Sequence, residues 1–270
     1  MKKHLSTILL VLVFFVGLSV VLYPTVSDWW NQRHATRAIA SYEETAQNMT
    51  QEDTDAIFAA AEDYNARLAA NPDAFYDPTL VSGYDTTLDI SGTGIMGYIT
   101  IDKINVQLPI YHGTSDGVLQ VAVGHLEGTS LPVGGASTHC VLSAHRGLPS
   151  ALLFSNLDQM EVGDTFTVTV LDRLLTYEVD QIAIVLPEEV EKLQITDGQD
   201  YMTLMTCTPY GINTHRLLVR GRRVDNAAEK HINVTPDATR IDPMLVAPVV
   251  ALPILLILLA VLLIRFRKKR

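Results

Sequence analysis

Cysteine is scarce in this chain, which contains only Cys140 and Cys207 among its 270 residues. Two cysteines are too few for the disulfide framework of a small secreted scaffold, so they form one bridge at most or stay free. Long apolar runs are also scarce, since none of spanning length occurs between residues 24 and 244. That absence excludes a polytopic transporter, because each span needs roughly 20 apolar residues. The middle of the chain is therefore expected to fold in water.

Acidic residues are missing from both ends of the chain. All 30 lie between two apolar runs, at 5–23 and 245–264, each long enough to cross a bilayer as a helix. Lys2 and Lys3 precede the first run, and a basic cluster at 265–270 follows the second. The positive-inside rule then predicts a two-pass protein of the cell membrane, with its termini in the cytoplasm and its middle on the extracellular face. An acidic exterior domain argues against nucleic acid as a partner.

Two alternatives to this topology are a cleaved signal peptide and a removable C-terminal sorting tail. The first run is longer than the core of a signal peptide, which is about 7–15 residues, and no A-x-A cleavage site follows it. No strong cleavage motif precedes the second run. We therefore expect both anchors to be retained.

The composition divides the chain into five parts. These are a cytoplasmic tip and transmembrane helix at 1–24, an extracellular helical region and loop at 25–93, a β-rich domain at 94–225, a polar linker at 226–243, and a transmembrane helix with a basic tail at 244–270. Apolar residues spaced by three and four predict one helix over 27–70, which Asn71 and Pro72 end. Residues 75–93 predict a surface loop.

Short β-branched runs separated by turns fill the third of these parts, residues 94–225. They predict strands at 97–101, 105–110, 138–143, 165–171, 174–185, 201–206 and 217–222, with short helices only near 117–123 and 152–157. Seven or eight short strands indicate a closed β-barrel or a sandwich, so the fold class is mainly β.

Cys207 and Arg216 end and begin two predicted strands that an eight-residue loop joins. If these strands pair, the thiol faces the guanidinium at the mouth of the loop. A neighbouring guanidinium favours a thiolate or stabilises an oxyanion that forms beside the sulfur. A nucleophilic cysteine also needs an acid for its leaving group, and His145, just beyond the predicted strand 138–143, is the candidate.

A metal site is the alternative use of the histidines. His112, His125, His139, His145 and His215 could join Cys207 around an ion, but no local pair with the spacing of zinc ligands occurs among them. We therefore predict no metal and no cofactor. Cys140 lies in the middle of an apolar strand and is predicted to be a buried, inert thiol.

Several segments resemble the class C, pilus-building branch of the sortase transpeptidases. The signature T-L-x-T-C of that family is similar to T-L-M-T-C at 203–207, and the class C continuation resembles T-P-Y-G-I-N-T-H-R-L-L-V-R-G at 208–221. The histidine segment of that branch is similar to L-S-A-H-R-G-L-P-S at 142–150. Further matches are P-I-Y-H-G-T at 109–114 and G-H-L-E-G-T-S-L-P at 124–132.

The resemblance implies an eight-stranded sortase barrel with His145, Cys207 and Arg216 as catalytic residues and Thr206 as a substrate-binding residue. Cys207 would cleave an LPxTG-like sorting signal between Thr and Gly, and a pilin lysine would resolve the thioacyl-enzyme as an isopeptide. The implied partners are pilins and surface proteins that carry such signals, with lipid II as a further acceptor. No cofactor is implied.

Class C sortases carry a lid before the barrel, with an Asp-Pro-aromatic motif. The corresponding residues here are Asp77, Pro78 and Thr79, so the aromatic position holds a threonine. The resemblance implies that Asp77 pairs with Arg216 and that Phe75 or Tyr76 supplies the missing ring. The alternative is that Asp77 is an ordinary turn residue before Pro78.

Two other functions compete with pilin joining. One is a housekeeping sortase that attaches surface proteins to a peptidoglycan precursor. The other is a non-enzymatic, membrane-anchored adhesin or scaffold in which Cys207 is only a buried residue.

Overall fold

A computed structural model gives the fold of this chain and describes residues 5–226 together with residue 253. Within this part of the chain, residues 5–30 belong to one compact unit and residues 31–226 to a second. The predicted C-terminal helix and linker, apart from residues 226 and 253, lie outside the described residues.

Helix α1 covers Leu5–Gln47 and contains Pro24. The first apolar run and the start of the predicted extracellular helix are therefore parts of one helix. One helical stretch among the described residues, Ile8–Gln47, is long and apolar enough to span a membrane.

The predicted single helix over 27–70 is wrong at residues 48–50, where the chain turns before helix α2, Gln51–Ala69. Thr50 caps the start of the second helix. Its hydroxyl accepts from the backbone N–H of Asp53 at 3.2 Å, and the Asp53 carboxylate accepts from the backbone N–H of Thr50 at 3.2 Å. This reciprocal capping box satisfies N–H groups that a helix start leaves unpaired.

Three short 3-10 turns follow helix α2, at Pro72–Phe75, Pro78–Leu80 and Tyr84–Thr86, and the last two lie within the predicted surface loop 75–93. The barrel follows. Its eight strands are β1 Ile95–Ile101, β2 Val106–His112, β3 Val123–His125, β4 Thr138–Ser143, β5 Thr165–Val170, β6 Arg173–Val185, β7 Asp200–Thr208 and β8 His215–Val224.

The strands close in the order β1-β2-β3-β4-β7-β8-β6-β5. The β2/β3 and β4/β7 pairs are parallel and the others are antiparallel. The predicted eight-stranded, mainly β barrel is confirmed. Closure removes the exposed edges that an open sheet of this size would present.

Two sequence predictions in the barrel need correction. Residues 117–123 were expected to form one short helix, but helix α3 covers only Asp116–Leu119, and Val123 begins strand β3. In the second predicted helix, 152–157, residues 153–156 form turns instead, and a 3-10 turn follows at Leu157–Gln159. Strand β3 has only three residues, which is too short to show the period of two that identifies a strand in a sequence. Its pairing with β2 and β4 makes it a strand.

The main core fills the barrel and extends to the helices. Tyr42 of α1 is 1% exposed, donates to the backbone oxygen of Met96 at 2.9 Å and accepts from the N–H of Leu171 at 2.9 Å. A second apolar cluster lies apart from this core, and we call it the outer cluster. Its members are Val141, Val185, Leu193 and Leu218, with Phe75, Leu126, Ala183 and Met205 packed against them.

Candidate active site

Cys207 and Arg216 are direct cross-strand partners at the end of β7 and the beginning of β8. Side chains at such a position share a face of the sheet, with Cβ atoms about 5 Å apart. The pairing that the sequence predicted is therefore formed. Arg216 is also the partner of Val185 on β6, so strands on both sides hold it in register.

Alternation along β7 gives Cys207 its access to solvent. Met202 and Leu204 are fully buried in the main core, whereas Cys207 is a free, partly exposed thiol. Residues of odd number on this strand thus face outward, as Met205 in the outer cluster also shows.

Cys140 is the opposite case. It is also free, but it is 3% exposed, and burial raises the pKa of its thiol well above the ordinary value. A buried thiol of this kind is neither a ready nucleophile nor an accessible one. The prediction that Cys140 is a buried residue is confirmed.

Arg216 has no carboxylate partner among the described residues. Its Nη1 donates only to backbone oxygens, at 3.2 Å to His215 and 3.5 Å to Asn213. Because the charge is not neutralised by an ion pair, the guanidinium remains able to stabilise a thiolate or an oxyanion.

His145 lies at the same end of the barrel as Cys207. Strands β4 and β7 are parallel, with Ser143 opposite Met205. His145 lies two residues after Ser143, and Cys207 lies two residues after Met205. The ladder continues for one more step, since the N–H of Ala144 donates to Met205 O at 3.2 Å. The backbone oxygen of His145 accepts from the N–H of the fully buried Phe154 at 3.2 Å.

Thr206 does not have the substrate-contacting position expected for it. Its side chain is 1% exposed, and its hydroxyl donates to the backbone oxygen of Ala144 at 2.8 Å. The even-numbered positions of β7 face the barrel interior, which explains the burial. Thr206 therefore connects the two strands that carry Cys207 and His145.

Asp77 does not pair with Arg216 in this structure. Its Oδ1 accepts from the backbone N–H of Thr79 at 3.2 Å and from the Thr79 hydroxyl at 2.6 Å. A short carboxylate before Pro78 satisfies a local donor more readily than a distant one. The threonine in the aromatic position is thus the partner that caps the turn together with Asp77.

The segment 72–80, which we call the covering segment, packs on the outer face of the barrel. Phe75 contacts the outer cluster, which includes the cross-strand pair Met205 and Leu218. Met205 lies two residues before Cys207, and Leu218 lies two residues after Arg216. The exposed Tyr76 accepts a hydrogen bond from Gln194 Nε2 at 2.9 Å. No pattern in the sequence predicts the contact between Tyr76 and Gln194.

Two of the candidate metal-binding histidines have structural roles. His125 Nε2 donates to Ser130 O at 2.8 Å, and His139 Nδ1 donates to Gln194 O at 2.9 Å. Burial lowers the pKa of each to about 4, so both are neutral at pH 7. Within residues 5–226, no three His, Cys, Asp or Glu residues are grouped so as to hold a metal ion.

Arg146 is a neighbour of the site that was not predicted from the sequence as a functional residue. Its side chain is 9% exposed, ion-paired with Asp158 and hydrogen-bonded from Nη1 to the hydroxyl of Thr208 at 3.1 Å. The only advance signal was its position between His145 and a glycine.

Comparison with known proteins adds to this geometry. Residues 99–224 match the family model of the sortase domain. The crystal structure of sortase C1 from Streptococcus agalactiae is similar at 51% identity, with 70% of this chain and 99% of that chain covered and a TM-score of 0.65.

Two further proteins are similar over shorter or less identical stretches. One is sortase C of Streptococcus pneumoniae, whose structure was described with respect to catalysis and pilin substrate specificity. It is 43% identical, with 72% of this chain and 99% of that chain covered and a TM-score of 0.62. Sortase A of Streptococcus agalactiae serotype III is 32% identical over 117 residues, 42% of this chain and 47% of that protein. The chain thus spans about half the length of this last relative.

Proposed function

The chain belongs to the sortase family, and from that premise we propose that it is a membrane-anchored cysteine transpeptidase that joins pilin subunits. The observation that carries the proposal is the cross-strand pair of a free, partly exposed Cys207 and an Arg216 without an acidic partner among the described residues. The 51% identity to a class C enzyme favours pilin joining over the housekeeping role.

The first half-reaction forms a thioester. The Cys207 thiolate attacks the carbonyl carbon of Thr in an LPxTG-like sorting signal, and the carbonyl oxygen becomes an oxyanion beside the Arg216 guanidinium. The C–N bond to Gly then breaks while His145 donates a proton to the departing amine. The Thr acyl group remains on the sulfur.

The second half-reaction transfers the acyl group to an amine. The Nζ of a pilin lysine attacks the thioester carbon and gives a proton to the now neutral His145. The C–S bond breaks, an isopeptide bond remains, and the Cys207 thiolate is restored. His145 therefore regains in the second half-reaction the proton that it donates in the first.

Water would compete with lysine for the thioester. The covering segment supports the proposal here, because Phe75 and the outer cluster form an apolar wall two residues from the reacting pair. An apolar wall lowers the local water concentration and favours aminolysis over hydrolysis. We propose that residues 72–80, including Asp77 and Pro78, act as the lid of this cleft.

Membrane anchoring is proposed on helix α1, whose first part is apolar and long enough to span a bilayer. We propose an extracellular catalytic unit, because basic residues flank the two apolar runs on the sides of the chain ends, whereas all acidic residues lie between the runs.

The proposal is tested with the purified full chain in detergent, a sorting-signal peptide and three acceptors: a lysine-bearing pilin peptide, an oligoglycine and a lipid II stem peptide. Mass spectrometry of the products identifies the acceptor. Transfer to the lysine side chain by the wild type and none by Cys207→Ala supports pilin joining. Transfer only to oligoglycine or the stem peptide would replace it with the housekeeping role, and no cleavage at all would leave a non-enzymatic scaffold.

A further inference from the structure

Arg146 has an unusual set of contacts for a charged residue next to an active site. Its guanidinium hydrogen-bonds Thr208, is ion-paired with Asp158 and lies over the ring of Tyr210 with 5.9 Å to the ring centroid. The side chain is only 9% exposed. A guanidinium in such surroundings has a fixed orientation, because its planar fork can meet several partners only in one arrangement.

The three partners belong to the elements that carry the reacting residues. Thr208 directly follows Cys207 on β7, and Tyr210 lies in the loop that leads to Arg216. Asp158 lies on the 3-10 turn Leu157–Gln159, which follows the segment that binds the backbone oxygen of His145. One side chain, adjacent to His145 in sequence, therefore connects the histidine loop to the cysteine strand.

Gly147 strengthens the same connection. Its φ of +78° favours glycine, and a Cβ at this position would lie 3.1 Å from atoms of the Tyr210 ring. The ring consequently packs directly on the backbone of the histidine loop. The backbone N–H of Gly147 donates to the hydroxyl of Ser155 at 3.0 Å, which fixes the histidine loop from the other side.

The Nε of Arg146 is buried and has no hydrogen-bond partner. A buried donor without an acceptor lowers stability, so stability alone does not account for a guanidinium at this position. Departures of this kind from good packing are found where function constrains a residue.

We infer that Arg146 is a positioning residue that sets the His145 imidazole relative to the Cys207 thiol. It does so by fixing the loop of His145 to Thr208 and Tyr210, without touching the substrate. The inference rests on the proposed function, because it assigns Arg146 a part in the proton transfers of that reaction.

The kinetic test compares Arg146→Lys with Arg220→Lys in the full chain. Arg220 is a matched control, since it also has one acidic partner, Asp180, and one ring, Tyr201, at 4.1 Å to the centroid. Misplacing a catalytic group by about 1 Å costs on the order of a hundredfold in rate, so we expect kcat to fall by about 10- to 100-fold in Arg146→Lys. KM should stay within about twofold, because substrate contacts are untouched. Arg220→Lys should change neither.

A second measurement requires no sorting peptide. The rate at which a methanethiosulfonate reagent modifies Cys207 is followed against pH in both variants and in Thr208→Val, which removes a single hydrogen bond. A displaced imidazole should shift the pH midpoint of this profile in Arg146→Lys and, to a smaller extent, in Thr208→Val, whereas Arg220→Lys should match the wild type. Because the reagent reports only on the thiol, this outcome stands even if the enzyme transfers no peptide.

The results that would overturn the inference are equally specific. An unchanged pH profile and unchanged kcat in Arg146→Lys, with or without a lower melting temperature, would make Arg146 a purely stabilising residue. If Arg146→Lys does not fold, Thr208→Val decides alone, and a wild-type profile in that variant would reject the positioning role.

Discussion

The hydroxyl of Thr206 donates a hydrogen bond of 2.8 Å to the backbone oxygen of Ala144, across the parallel pair β4 and β7. Thr206 precedes Cys207, and Ala144 precedes His145. The bond therefore joins the two neighbouring segments of the chain at the position just before each proposed catalytic residue. It lies inside the barrel, where solvent does not compete for the carbonyl.

Replacing Thr206 tests whether this bond aligns the site. Thr206→Ser keeps the hydroxyl and should retain activity within about threefold. Thr206→Val keeps the shape but leaves the Ala144 oxygen without its donor, which costs about 1–3 kcal/mol, and we expect kcat to fall by at least about tenfold. Steady-state cleavage of a sorting peptide measures both. Equal activity of the two variants would show that shape alone suffices.

Arg216 should be sensitive to a change from guanidinium to ammonium. Arg216→Lys keeps the charge but loses the planar fork, so we expect kcat to fall by roughly a hundredfold, the scale of losing an oxyanion donor. The control is Arg222→Lys on the same strand, whose partner is the carboxylate of Glu178 at 2.8 Å. Near-normal turnover in Arg216→Lys would mean that charge alone stabilises the oxyanion.

The covering segment should limit access to the thiol mainly through Phe75. Phe75→Ala should speed the modification of Cys207 by a small thiol reagent roughly tenfold, because a partly buried ring contributes on the order of 1–2 kcal/mol to packing. Asp77→Ala should have a smaller effect, since Asp77 caps its own turn and does not pair with Arg216.

Tyr76→Phe provides the matched control for Phe75→Ala, because it removes only the hydrogen bond from Gln194. Thr79→Phe, which restores the aromatic position of the family motif, should slow the reaction below the wild-type rate. The same rate in all four variants would remove residues 72–80 from the proposed site.

Acid should destabilise the fold through His139. Its pKa is lowered to about 4 by burial, whereas the unfolded chain titrates near 6.5, so the unfolded state takes up a proton first as the pH falls. The contribution of neutral His139 to the free energy of unfolding is fully present above about pH 6.5 and is lost as the pH falls from about 6.5 to 4. At pH 5 one such histidine lowers the free energy of unfolding by about 2 kcal/mol.

The measurement is the free energy of unfolding from urea titrations at pH 7.5 and pH 5. His139→Gln, which keeps a donor for Gln194 O, should lose about 2 kcal/mol less than the wild type between these two pH values. His125 contributes with the same sign, so some dependence on pH should remain. Identical losses in both proteins would contradict a neutral, buried His139.

The sequence predicted those parts of the fold that rest on local patterns. Runs of β-branched residues long enough to show a period identified seven of the eight strands, and the loop between two of them predicted the pairing of Cys207 with Arg216. The three residues of β3 show no period. The break at Thr50 did have a signal, the Thr-x-x-Asp capping pattern, which the strong helical spacing on both sides concealed.

Contacts between distant residues were harder to predict. Asp77 was assigned to Arg216 from a family pattern, yet the nearby Thr79 offers a donor at a lower entropic cost. Thr206 was expected at the substrate from the family resemblance, although alternation along a strand turns it and its neighbour Cys207 to opposite faces. The contacts of Arg146 and Gln194 depend on closure of the barrel.

The most direct test of the account is to identify the atom that holds the acyl group. The full chain is mixed with a sorting-signal peptide without an acceptor amine, quenched in acid, digested and analysed by mass spectrometry. We predict a thioester of the peptide through Thr on the fragment that contains Cys207, present in Cys140→Ala and absent in Cys207→Ala. Acylation that persists in Cys207→Ala, or that maps to Cys140, would contradict the account.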